Sequence, residues 1–170
     1  MPEFASEMML LAKIESDKIK AVQKLKDSIE TGKALAKFKE IIGNQGGDSR
    51  VIQDYSLLPK AKYESEVIAG EDGYVNRIDA VHLGLTAMKL GAGRQKKDDI
   101  IDPAVGIWVY KKVGDKVKKG EVFAKILAND EAKLSWAVDE TRKAFEFTLG
   151  PIEKRKVIWA KITKDEVLKF

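Results

Sequence analysis

The sequence predicts an α+β chain, with a helical segment first, then an extended connector, then a strand-rich domain with inserted helices. Three observations predict it. Ile19, Val22, Leu25 and Ile29 recur at three- and four-residue intervals, the spacing of one stripe on a helix. The run Gly43-Asn44-Gln45-Gly46-Gly47-Asp48 breaks that period, and Pro59 interrupts the stretch after it. Farther on, Val105, Ile107 and Val109 alternate with other residues, as do Val122, Ala124 and Ile126, which is the two-residue period of a strand. The expected boundaries are residues 1–48 for the helical segment, 49–62 for the connector and 63–170 for the second domain.

Each element has its own local reason. Met8-Met9-Leu10-Leu11-Ala12 is too apolar for a helix lying alone on a surface, so pairing of two copies through this N-terminal helix, as a homodimer, is expected. Ser16 and Asp17 offer N-capping oxygens to the stripe that follows, and Gly32 suits a left-handed stop. Leu35, Phe38 and Ile42 mark a shorter helix closed by Gly43. Val67-Ile68-Ala69 and Tyr74 to Ile78 read as strands around Gly70-Glu71-Asp72-Gly73, whose glycines permit a tight reversal. Asp79 then caps a helix through Leu90, with Val81, Leu85 and Met88 on one stripe and Gly91 as its stop. Gly114 and Gly120 supply turns between the alternating strands. Asn129-Asp130 caps a further helix expected to reach about Phe147, and Gly150-Pro151 ends it. Val157 to Ile162 is expected to form a last strand buried on both faces.

Composition removes several classes of function. With no cysteine, the chain can form neither disulfides nor thiolate metal sites, as suits a reducing cytoplasm. The net charge of +4 invites a nucleic-acid partner, but 31 basic residues are interleaved with 27 acidic ones, as on an ordinary solvated surface. No apolar run approaches the roughly 20 residues that span a bilayer, and Met1 to Ser6 lacks the pattern of a secretory signal. Neither nucleic acid nor membrane is expected as a partner.

Ala87-Met88-Lys89 resembles the tripeptide that carries biotin in biotinyl domains, whose Gly-Asp turn also has a counterpart at Gly114-Asp115. The order is reversed, since the carrier lysine should follow that turn, and Lys89 falls on a helical stripe rather than a hairpin tip. The glycines of Leu90-Gly91-Ala92-Gly93-Arg94 close a helix instead of opening one, so they lack the placement of a dinucleotide loop. Arg94, Lys96 and Lys97 follow, then Asp98, Asp99 and Asp102: a charged irregular loop that reads as a solvated surface, or as a lid over a cleft. The three aspartates suit a hard cation by type, but adjacent cations and the Asp102-Pro103 turn argue against a metal. His82 is the single histidine, so no Ser-His-Asp or multi-histidine metal arrangement can be built. Trp108, Trp136 and Trp159 are too far apart in sequence to argue a stacking platform, and packing is their expected role. No cofactor is called for.

Gly73-Tyr74-Val75-Asn76-Arg77-Ile78-Asp79-Ala80, Leu90 to Arg94, Asp98 to Ile107 and Val113 to Gly120 form four blocks in one order. Together they resemble the C-terminal domain of the pyrimidine-nucleoside phosphorylase family, which includes thymidine phosphorylase. The likeness extends upstream through Gly32-Lys33-Ala34, Phe38 and Gln45 to Asp48. It implies a hammerhead-type β-rich domain over residues 63–170, preceded by a helical remnant of a central α/β domain. It also implies the family's transferase activity, reversible phosphorolysis of thymidine or uridine to free base and pentose 1-phosphate in cytoplasmic nucleoside salvage. Family members are well over twice as long, and their phosphate and nucleoside sites lie in the preceding part. The resemblance therefore assigns no catalytic or substrate-binding residue here, makes the remainder of the parent enzyme the expected partner, and leaves a structural role for this chain. Phosphate and nucleoside are then ligands of the complete enzyme only. Arg94, Lys96 and Lys97 stand as the candidate cleft-lid residues. A stand-alone binding or scaffold module is the alternative.

Overall fold

A computed structural model describes residues 2–153 and 158–169, and among these described residues are five α-helices and eight short strands. They divide into two units, Met1–Leu58 and Pro59–Phe170.

The first unit is helical. Helices α1 (Pro2–Leu11) and α2 (Lys18–Glu30) pack through small residues, with Ser6 and Ala21 fully buried. Burying a serine hydroxyl is tolerable because it donates to the Glu3 carbonyl oxygen at 2.8 Å. Two ion pairs join the helical hairpin, Lys18–Glu7 at 2.8 Å and Lys24–Glu15 at 2.6 Å. The hydrogen bond from Lys24 holds the Glu15 carboxyl down to about 2. Asp17 caps α2 by accepting from the Lys20 N–H at 2.9 Å. Gly32, in the left-handed conformation, links α2 to α3 (Lys33–Asn44). The stripe read from the sequence is only partly inward: Val22 and Leu25 are half-buried, but Ile19 and Ile29 are exposed, as are Met8 and Leu11 of α1. The stretch expected as an extended connector holds two short 3-10 turns, Ser49–Ile52 and Tyr55–Leu57, each capped by an aspartate.

The second unit is built from antiparallel pairings. Strands β1 (Tyr63–Ile68) and β2 (Gly73–Ile78) come first, then α4 (Ala80–Ala87) with a wider π-type turn over Met88–Ala92. Next are β3 (Gly106–Val109), β4 (Lys116–Val117), β5 (Val122–Ala128), α5 (Glu131–Lys143) and β6 (Phe145–Thr148). One sheet has the order β1-β5-β3 and the other β4-β2-β6; β7 (Ala160–Ile162) and β8 (Val167–Lys169) pair separately as a hairpin.

One core serves both three-stranded sheets. Val67 of β1 and Phe123 and Ile126 of β5 are buried together with Val75 of β2, Val117 of β4 and Phe145 of β6. Phe123 packs at 4.6 Å between ring centroids from Phe145 and at 5.3 Å from Phe147, in tilted and edge-on arrangements that aromatic quadrupoles favour. Backbone bonds also cross between the sheets' loops: Ala69 N–H donates to Glu121 at 2.9 Å and Gly120 N–H to Ala69 at 2.8 Å. Gly73 is required by close approach, because a Cβ there would lie 2.8 Å from the Thr148 carbonyl oxygen.

The segment Gly70–Gly73 carries the chain from one sheet to the other: β1 and β2 do not pair with each other. Three expectations are corrected. The helix from Asp79 is regular only to Ala87 and then widens. Helix α5 stops at Lys143 rather than near Phe147, because Phe145 and Phe147 are taken into β6 to complete the aromatic cluster. The last strand is not buried on both faces, since Trp159 and Ile162 are exposed and, among the described residues, β7 pairs in a two-stranded sheet with β8; Val157 lies outside the described residues.

Candidate functional site

The loop of residues 93–101 is exposed at its tip and tied at its base. Its start is set by α4, which Asp79 caps by accepting from the His82 N–H at 2.9 Å. That bond is the first reason the Asp79 carboxyl sits below its ordinary range. Within the π-type turn that follows, Gly91 has a φ of 120°, which is costly for any residue with a side chain. The Gly91 carbonyl oxygen accepts from the Asp102 N–H at 2.9 Å, so the two ends of the loop meet.

Asp102 closes the base further. Its Oδ1 accepts from the Ala104 N–H at 2.9 Å, and its Oδ2 from Asn129 Nδ2 at 2.7 Å. Asn129 in turn accepts from the Lys62 N–H at 2.8 Å. One polar chain therefore runs from the start of β1 through the loop before α5 to the end of the charged loop. The sequence offers Asn129 and Asp130 together as a helix cap; Asp130 alone caps α5, accepting from the Lys133 N–H at 2.8 Å. Two Asx residues in succession signal a cap, but which one caps cannot be read from type alone.

Within the loop, Asp99 accepts from the N–H groups of Gln95 and Lys96, at 3.0 and 2.9 Å. Its carboxylate is used to hold the turn. Arg94, Lys96 and Lys97 are all exposed and form no ion pair among the described residues. The structure thus brings the three candidate lid residues together on one anchored loop. Asp98, Asp99 and Asp102 do not converge: among the described residues no group of three or more acidic or histidine side chains is placed to hold a metal ion.

The remaining sequence candidates have structural partners. His82 Nε2 lies 2.8 Å from Glu140 Oε2, which joins α4 to α5. The Glu140 carboxyl is held below its ordinary range, first by the hydrogen bond from Lys143 at 2.7 Å. Lys89 sits over the Trp136 ring at 5.4 Å, a cation–π contact at the end of a helix and not at a hairpin tip. Trp108, expected to pack, is exposed on β3 with Tyr110 at 6.4 Å between ring centroids.

Comparison with known proteins places this geometry. A family model described as pyrimidine nucleoside phosphorylase C-terminal domain matches residues 74–148. The chain is 50% identical over 126 residues to a pyrimidine-nucleoside phosphorylase of Bacillus subtilis (strain 168), covering 74% of this chain and 29% of the relative. It is 48% identical over 124 residues to one of Staphylococcus epidermidis, covering 73% and 29%. The match to one of Geobacillus stearothermophilus runs over 162 residues at 42% identity, covering 93% and 36%. The chain spans about a third of the length of these relatives.

Removing the base clamp should loosen the loop. Asp102→Ala leaves the Ala104 N–H and Asn129 amide without their acceptor, at a cost of about 1–3 kcal/mol in denaturant unfolding. Trypsin should cleave after Arg94, Lys96 or Lys97 faster in this variant than in the parent chain, as followed by mass spectrometry. Equal cleavage rates would show that the clamp does not restrain the loop.

Proposed function

We propose, for a chain that belongs to the pyrimidine-nucleoside phosphorylase family and carries its C-terminal domain, that it serves as the C-terminal part of an enzyme of reversible pyrimidine-nucleoside phosphorolysis. One observation carries this reading: 93% of the chain aligns, at 42% identity, with the Geobacillus stearothermophilus relative of that name. In the proposed reaction phosphate attacks the anomeric carbon of thymidine or uridine, the bond to the base breaks, and free base and pentose 1-phosphate result. Positive charge grows on the sugar and negative charge on the leaving base, so catalysis needs fixed groups around both.

This chain's role in that reaction is structural. Residues 63–170 supply a wall of hammerhead type, a reading supported by two small antiparallel sheets with α4 and α5 inserted between their strands. Arg94, Lys96 and Lys97 act as a cationic lid, which the pinned base at Gly91 and Asp102 would let move at its tip without disturbing the core. The remainder of the enzyme holds phosphate and nucleoside. No described helix is long and apolar enough to cross a membrane, and the absence of cysteine suits work in the cytoplasm.

The chain alone should release no thymine or uracil from thymidine or uridine with phosphate in excess. Turnover by preparations free of host phosphorylase would contradict the structural role. Pairing through α1 is the proposed mode of self-association, supported by the exposure of Met8 and Leu11. Sedimentation at several concentrations should show a dimer that the double variant Met8→Lys, Leu11→Glu abolishes. A parent chain that stays monomeric, or a variant that associates equally well, overturns it.

A further inference from the structure

A concavity of about 520 Å³ opens on the second unit beside the aromatic cluster, away in sequence from the charged loop. Phe123, Phe145 and Phe147 line it, the first two nearly fully buried and the third half-buried. Phe145 and Phe147 are close to parallel, at 18° and 6.2 Å between centroids, while Phe123 meets Phe147 edge-on. Phe147 offers the accessible ring, with Phe123 and Phe145 packed behind it, and this apolar wall suits a flat aromatic body. Space is left open because Gly70 and Gly120 border the concavity, and a Cβ at either would meet nothing within 4 Å.

The charged groups lining it are cationic. Among the described residues, Lys119 and Arg142 contribute to the lining and no acidic residue does. Two carboxylates lie nearby: Asp72 accepts from the Lys119 backbone N–H at 2.7 Å, and Asp139 accepts from Arg142 Nη1 at 3.4 Å, an exposed ion pair that a bound anion would share. A largely apolar pocket with aromatic side chains and a few charged ones is the usual composition of a small-molecule site, and its volume lies in the usual range for such sites. Arg142 offers a planar fork of N–H donors that matches phosphate or carboxylate.

We propose that this concavity binds a small aromatic anion, an aryl phosphate or aryl carboxylate, with the ring against Phe147 and the apolar wall behind it and the anionic group held by Lys119 and Arg142. The site is separate from the Arg94–Lys97 loop and does not depend on the phosphorolysis reading.

The test is a titration of the full chain with phenyl phosphate, followed by two-dimensional amide NMR, in which Gly70 and Gly120 give separable signals. Both should shift saturably, at concentrations where inorganic phosphate leaves them unmoved. Arg142→Gln should weaken binding about fivefold, the size expected for a half-exposed ion pair, and Arg142→Lys should restore most of it. Benzyl alcohol, which has the ring without the charge, should bind more weakly and be unaffected by Arg142→Gln. Lys119→Gln serves as a second variant in case Arg142→Gln perturbs α5. The proposal is overturned if the two glycines show no saturable shift, if inorganic phosphate shifts them equally, or if both charge-removing variants bind phenyl phosphate as the parent does.

Discussion

Strand β5 is the constraint on which the second unit depends. It is the middle strand of its sheet, with β1 on one side and β3 on the other, and its Phe123, Ala124 and Ile126 are buried. The same Phe123 side chain reaches Phe145 and Phe147 of the opposite sheet. One strand thus satisfies two backbone partners and joins two hydrophobic layers. Truncating a buried phenylalanine to alanine costs about 3–5 kcal/mol, a large share of the 5–15 kcal/mol by which a whole domain is stable. Few other residues here could cost as much.

That economy explains what was legible in the sequence. The alternation of Val122, Ala124 and Ile126 announced β5 because a half-buried strand needs a two-residue period. Asp17, Asp79 and Asp130 announced helix starts because an exposed N–H needs an acceptor nearby in sequence. What was not legible depended on distant partners. Phe145 and Phe147 continue the apolar content of α5, and only the cluster with Phe123 draws them into β6. The glycines of Gly70–Gly73 likewise permit a reversal without choosing which strands will pair, and β1 and β2 enter different sheets.

The charged loop shows the same division. Its residue types were evident, and so was a glycine stop before it. The clamp formed by Gly91, Asp102 and Asn129 was not, because it closes over sequence separations that no local pattern records. A loop fixed at its base and exposed at its tip can change conformation without a cost in core packing. Such a loop suits the lid proposed for it.

If the Phe123 contacts make one cooperative core of two sheets, native-state amide hydrogen exchange will show it most directly. The slowest amides of β5 and of β2 should exchange through a single opening, with equal free energies and equal dependence on denaturant. Opening of the β4-β2-β6 sheet at clearly lower free energy, with β5 still protected, would contradict the account.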